Sequence, residues 1–156
     1  ADIRRGLTTA YIPGRFEIVA VDGSTTVVLD GAHTPASAQV LANAVRSRYA
    51  DHRVTAIVAM MADKDPLTFL EPLVSVVDEW FVSQPQTPRA LDPDALLVAL
   101  RQLHASAEVC ESVGESVSRS VIAARRHDQR RLILVTGSLS TVAEARSRLG
   151  LDATST

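Results

Sequence analysis

Val27-Val28-Leu29-Asp30-Gly31-Ala32-His33-Thr34-Pro35 decides the fold of this chain. Three apolar residues followed by Asp-Gly predict a buried strand ending in a tight turn. Pro35 and the alanine-rich segment after it predict the first turn of a helix. A strand that feeds a helix in this way is the unit of an α/β sheet. In such sheets ligands bind beyond the carboxyl ends of the strands, so Asp30 and His33 are candidates for ligand contact. Each also has a purely structural use, Asp as a turn former and His near a helix start.

Upstream, Arg15-Phe16-Glu17-Ile18-Val19 alternates polar and apolar, the pattern of a half-exposed strand. Asp22-Gly23 is a hairpin signal, which predicts antiparallel pairing of this strand with Thr26 to Leu29. That pairing sets Arg15 beside Asp30, because the start of one antiparallel partner lies at the end of the other. Residues 1–12, broken by Gly6 and followed by Pro13, read as an interdomain linker. The domain is expected over 13–150, with 151–156 as a flexible tail.

Downstream, Ala38, Leu41, Ala42 and Val45 recur at helical spacing, predicting a helix to about Tyr49. Val54 to Met60 is a continuous apolar run, as in a strand covered on both faces. Asp65-Pro66 suits the start of a helix running from Leu67 to Val74 or a little beyond. Strands are expected at Glu79–Ser83, Ala107–Cys110 and Arg131–Thr136. Helices are expected after Asp92-Pro93, over Val113–Arg126, and from Leu139 to Leu149 with Gly150 as the C-terminal cap. This order predicts an α/β, Rossmann-like sheet of six mostly parallel strands, one of them antiparallel, with helices on both faces.

Composition narrows the function classes. The chain has 156 residues, enough for one domain with a proper core, and 46% are hydrophobic. A formal net charge of −2 offers no general attraction to phosphate backbones or anionic lipid, so neither nucleic acid nor membrane is an expected partner. Arg125, Arg126, Arg130 and Arg131 read as a solvated helix end and loop. Nothing resembles a signal peptide or a membrane span, which leaves the cytoplasm as the expected location. The single Cys110 reads as a small buried hydrophobe. Of the 16 basic residues only Lys64 is a lysine, a compact charge with three rotatable donors that arginine does not reproduce. The chain begins with Ala1 rather than Met, which is expected of a piece of a longer protein.

A parallel sheet would line up Asp30 and His33, Asp63 and Lys64, and Gly137 and Ser138 along one rim. Arg15, Lys64 and Ser138 could there hold phosphate or carboxylate, although Lys64 also fits an exposed loop and Ser138 a helix cap. Ser138 lacks the flanks of a nucleophile elbow. No metal-ligand spacing is present, and neither is a phosphate-binding loop. No residue is assigned as a catalytic nucleophile or a metal ligand.

Gly6-Leu7, Pro13-Gly14-Arg15-Phe16-Glu17, Leu29 to Pro35, Met61-Ala62-Asp63-Lys64-Asp65 and Val135-Thr136-Gly137-Ser138 together resemble the C-terminal domain of the Mur ligase superfamily. The resemblance is nearest to its folylpolyglutamate synthase branch, including the bifunctional dihydrofolate synthase form, and covers about residues 1 to 150. Thr34 stands where folylpolyglutamate synthases usually carry Asn, whereas other Mur ligases resemble this sequence in carrying Thr there. The resemblance implies an ATP-dependent ligase that forms an amide bond through an acyl phosphate, with L-glutamate, a folate and ATP as its partners. It implies ATP contacts for Arg15 at the phosphates, Asp30 at the ribose and His33 against the nucleotide. Lys64 and Ser138 would hold the carboxylates of the incoming glutamate. The phosphate-binding loop and the magnesium ligands belong to the family's N-terminal ATPase domain, so this domain alone is expected to be inactive. Two alternatives stand beside this reading: another Mur-type ligase acting on a peptidoglycan precursor, and a non-catalytic Rossmann-like ligand-binding module.

Overall fold

The computed structural model describes residues 13–151. The expected linker, its Gly6-Leu7 motif and residues 152–156 lie outside the described residues. Strands β1 (Glu17–Ala20) and β2 (Thr25–Leu29) form the antiparallel hairpin. Its loop is organised by Asp22, whose carboxylate accepts the N–H groups of Ser24 and Thr25 at 2.8 and 2.7 Å. Those backbone donors hold the Asp22 carboxyl below its usual range.

Helix α1 (Pro35–Arg48) follows, and Thr34 and Ser37 close a reciprocal capping box at its start. The chain continues through β3 (Arg53–Val58), α2 (Pro66–Leu70), β4 (Glu79–Val82) and α3 (Pro93–Gln102). It ends with β5 (Glu108–Val109), α4 (Val113–Ala124), β6 (Arg131–Thr136) and α5 (Leu139–Arg148). Asp65, Asp92, Ser112 and Ser138 each cap the helix that follows, with a side-chain oxygen accepting a first-turn N–H. Gly150 ends α5 at φ +72°, the left-handed conformation that glycine adopts without strain.

The sheet order is β1-β2-β6-β3-β4-β5, and every pairing except β1·β2 is parallel. β6 and β3 are central, which explains why their inner residues, Leu132–Val135 and Val54–Val58, are apolar apart from Thr55. On one face Leu41, Val45, Phe69, Leu70, Leu96 and Leu100 from α1, α2 and α3 cover Val28, Val58 and Leu134. On the other, Val113, Val117, Val142 and Ala145 from α4 and α5 cover Val27, Ile57 and Val135. Full burial of such side chains contributes about 1.5–3 kcal/mol each, so these two layers hold the rim loops in place.

Four expectations needed correction. The helix after Asp65 stops at Leu70 and passes into a 3₁₀ turn at Glu71–Leu73, because Pro72 has no N–H to continue the ladder. α4 stops at Ala124 rather than Arg126. In β1 the expected facing is reversed: Glu17 is buried and Ile18 is exposed. Glu17 accepts the Gly14 N–H at 3.0 Å and pairs with Arg146 of α5, so a charge pair fixes this edge strand under the helix. Arg131 is buried too, 3.8 Å from Glu79, because it opens a central strand rather than closing a surface loop. Leu151 donates its N–H to the Arg146 carbonyl at 2.9 Å and packs against the second layer.

Candidate functional site

The polar rim lies at the carboxyl ends of β2, β6, β3 and β4. At the end of β2 the Asp30 N–H donates to the Val135 carbonyl at 3.0 Å, carrying the ladder one residue further. One oxygen of the Asp30 carboxylate accepts the Ala32 N–H at 2.9 Å and the other the Phe16 N–H at 2.9 Å. Each oxygen keeps a second lone pair that a hydroxyl donor could use. Phe16 sits at φ +45° and Gly14 at φ +75°, so the Gly14–Phe16 turn is held in a conformation that a bulky residue seldom adopts. The Gly31 N–H ties it down further by donating to the Gly14 carbonyl at 2.7 Å.

His33 follows on the exposed side of this turn. Its Nδ1 lies 2.9 Å from the Gly31 carbonyl. A carbonyl only accepts, so this contact assigns the proton to Nδ1 and leaves the lone pair of the neutral ring on Nε2.

Two cavities meet at His33. The larger, about 570 Å³, is lined by Arg15, Phe16, Asp30, His33, Arg48 and Leu139 among others. The Arg48 guanidinium lies 5.4 Å from the centre of the Phe16 ring, giving one wall a cationic and aromatic surface. The smaller, about 220 Å³, is lined by His33, Met61, Asp63, Lys64, Arg89 and Ser138, with Leu139 and Ser140. Lys64 approaches Asp63 at 3.8 Å. All five residues singled out in the sequence therefore reach one rim: Arg15 and Asp30 at the first cavity, Lys64 and Ser138 at the second, His33 at both.

Ser138 is the most constrained of the five. Its hydroxyl accepts the Thr141 N–H at 3.0 Å and lies 2.7 Å from the Thr141 hydroxyl, which itself donates to the Ala59 carbonyl at 2.8 Å. The Thr141 proton is thus committed, so the Ser138 proton must point to Thr141. Gly137 beside it has φ +116°, and a methyl group there would overlap the Ala59 carbonyl. Sequence reading missed Arg89, Phe16 and Arg48. Arg89 was findable, since it lies in the loop after a parallel strand and so on the same rim.

Among the described residues no group of three or more His, Cys, Asp and Glu side chains is placed to hold a metal ion. None of their helices is long and apolar enough to cross a membrane. The site can bind and orient anionic groups and hydroxyls.

Comparison with known proteins places this geometry in context. The dihydrofolate synthase/folylpolyglutamate synthase of Escherichia coli is 34% identical over 141 residues, covering 90% of this chain and 31% of that protein. The Mycobacterium tuberculosis folylpolyglutamate synthase, solved with ADP and AMPPCP, superposes with a TM-score of 0.82 at 31% identity, covering 97% of this chain and 35% of that one. A bifunctional folylpolyglutamate synthase/dihydrofolate synthase solved with Mn, AMPPNP and L-glutamate bound gives 0.78 at 32% identity, over 96% of this chain and 34% of that one. The chain thus spans about a third of the length of these relatives. The family described as Mur ligase, glutamate ligase domain, matches residues 14–139, from the Gly14 turn to the first residue of α5. With that match over most of its length, the chain belongs to the Mur ligase glutamate ligase domain family.

Proposed function

We propose that this chain is the C-terminal domain of an ATP-dependent folylpolyglutamate synthase, in its bifunctional form also a dihydrofolate synthase, that adds L-glutamate to folates in the cytoplasm. The observation that carries this reading is the pair of cavities sharing His33, one suited to a nucleotide and the other to a small charged amino acid. The relatives whose names include ADP, AMPPNP or L-glutamate bind the ligands that such a pair would take.

In this reading Arg15 draws in phosphate oxygens, Asp30 accepts ribose hydroxyls on its unused lone pairs, and His33 lies against the nucleotide. Lys64 holds a carboxylate of the incoming glutamate. Ser138 lines the same cavity and donates to that glutamate by giving up its bond to Thr141. The reaction forms an amide between a folate carboxyl group, activated as an acyl phosphate, and the amine of glutamate, with phosphate leaving. None of these residues becomes covalently bonded. Their contribution is orientation and charge stabilisation. The phosphate-binding loop and the magnesium ligands are assigned to an N-terminal ATPase domain of the same protein, and closure of the two domains completes the site.

The test is ATP-dependent transfer of labelled glutamate to a reduced folate by the full-length protein, wild type beside Lys64→Ala. Truncating one side of a buried charge contact costs roughly 2–5 kcal/mol, so catalytic efficiency should fall at least about thirtyfold. Transfer without that loss would keep the enzyme and remove Lys64 from the site. No transfer to folate would send the assignment to a peptidoglycan precursor. The purified 156-residue chain is expected to ligate nothing, and measurable ligation by it would overturn the two-domain site.

A further inference from the structure

Arg15 stands in a turn whose backbone is held on both sides, while its own side chain is exposed. Before it, the Gly14 N–H donates to the Glu17 carboxylate at 3.0 Å, and the Gly14 carbonyl accepts the Gly31 N–H at 2.7 Å. After it, the Phe16 N–H donates to Asp30 at 2.9 Å. Among the described residues no ion pair holds the Arg15 guanidinium. Its place on the wall of the larger cavity is therefore set by these backbone bonds.

The Glu17 side chain is only 2% exposed, and its two oxygens are divided: one takes the Gly14 N–H and the other pairs with Arg146. The Arg146 guanidinium is steadied in turn by donating to the Leu151 carbonyl at 2.7 Å. Leu139, Val142 and Arg146 recur at helical spacing and form one stripe of α5 that meets this turn. A methyl group added to Gly14 would sit 3.3 Å from Val142 and 3.6 Å from Leu139. The turn is thus held by apolar contacts in the first half of α5 and by a charge in its last turn. A carboxylate buried this deeply is costly without its cation. Deprived of Arg146 it would turn towards water and carry away the acceptor that Gly14 uses.

We propose that Arg146 is a positioning residue for the nucleotide site: acting through Glu17 and the Gly14 N–H, it fixes the turn that aims Arg15 at the phosphates. This inference rests on the ligase reading above and deepens it. Arg146 itself never touches the ligand. An orienting group displaced by about 1 Å can cost on the order of a hundredfold in rate, so a tether one residue away from Arg15 has a measurable effect. The smaller cavity takes no residue from the Gly14–Phe16 turn, and glutamate binding is therefore spared.

The experiment measures KM for ATP and for L-glutamate in the full-length protein, comparing wild type, Arg146→Met, Arg146→Lys, Arg15→Ala and the double variant Arg15→Ala/Arg146→Met. Arg146→Met should raise KM for ATP about tenfold and leave KM for glutamate within about threefold. Arg146→Lys, which keeps the charge, should recover most of that loss. Arg15→Ala should raise KM for ATP at least as far. Adding Arg146→Met to it should change that value by less than about twofold, because both act on one contact. Breaking a buried pair can also unfold a protein, so Glu17→Met/Arg146→Met replaces both charges by apolar side chains. This variant should melt close to wild type and still raise KM for ATP, since the Gly14 N–H has lost its acceptor. An unchanged KM for ATP in it overturns the proposal. So does an Arg146→Met effect that persists in full beside Arg15→Ala, or one that falls equally on ATP and glutamate. A wild type that transfers no glutamate overturns the ligase reading itself and takes this inference with it.

Discussion

The N–H of Phe16 donates to the carboxylate of Asp30 across 2.9 Å, joining the turn before β1 to the residue that ends β2. Phe16 is at φ +45° in this contact, in a region that costs a bulky residue on the order of 1–3 kcal/mol. The same carboxylate accepts the Ala32 N–H, so one side chain holds both the Gly14–Phe16 turn and the loop that leads to His33. Asp30 is thus a positioning residue for one wall of the larger cavity as well as a candidate ligand contact.

Asp30→Ala removes both acceptors at once. Loss of two backbone hydrogen bonds to a charged group should lower stability by about 2 kcal/mol in urea denaturation. Asp30→Asn should lose less, because its amide oxygen still accepts one N–H. A change below about 0.5 kcal/mol in the alanine variant would show that the turn holds without Asp30.

Gly137→Ala meets two obstacles together. The backbone at φ +116° is strained for any residue with a Cβ, and that Cβ would overlap the Ala59 carbonyl, which belongs to the rigid central sheet. The expected loss is about 3 kcal/mol or more, read from the shift in denaturation midpoint at constant m-value. A variant within about 1 kcal/mol of wild type would mean that the Ala59–Met60 backbone yields.

Glu79 gives the fold a pH dependence. Burial pushes its carboxyl up, but the hydrogen bonds and charge of Arg53, with Thr55 and Arg131 behind them, outweigh burial and hold it below the usual 4.5. Both Arg53 contacts are formed, at 2.9 and 3.2 Å. A native pKa below the unfolded one stabilises the fold above the unfolded value, and that contribution is lost as pH falls through the native value. The side chain is 43% exposed, so solvent screens the pair, and the contribution is of the order of a surface ion pair, about 1 kcal/mol or less. The stability difference between wild type and Glu79→Gln should therefore be constant from about pH 7 to pH 5 and shrink below about 4.5. A difference that grows on acidification would reverse the sign of this account.

The candidate site was legible to the extent that its residues follow strand ends. Asp30 and His33 after β2, Lys64 after β3 and Ser138 after β6 all come from the rule that parallel strands deliver their next residues to one rim. Ser138 shows the limit of that rule. Its hydroxyl serves the α5 cap and the Thr141–Ala59 chain, and whether a serine caps, binds or does both depends on Thr141, 3 residues on, and on Ala59, 82 residues before Thr141.

The α/β class, the β1·β2 hairpin, the helix starts and the buried central strands were all legible in the residues themselves. These follow from periodicity, from capping side chains and from turn residues, all of which act within a few positions of one another. Strand pairing and packing decided that β6 lies between β2 and β3, that Glu17 and Arg131 are buried, and that Arg89 shares a cavity with Lys64. The physical reason is that burial and proximity depend on which strands pair and which loops bond across the rim. The Ala62–Arg89 backbone bond, between residues 27 apart, leaves no periodic trace in the chain that makes it.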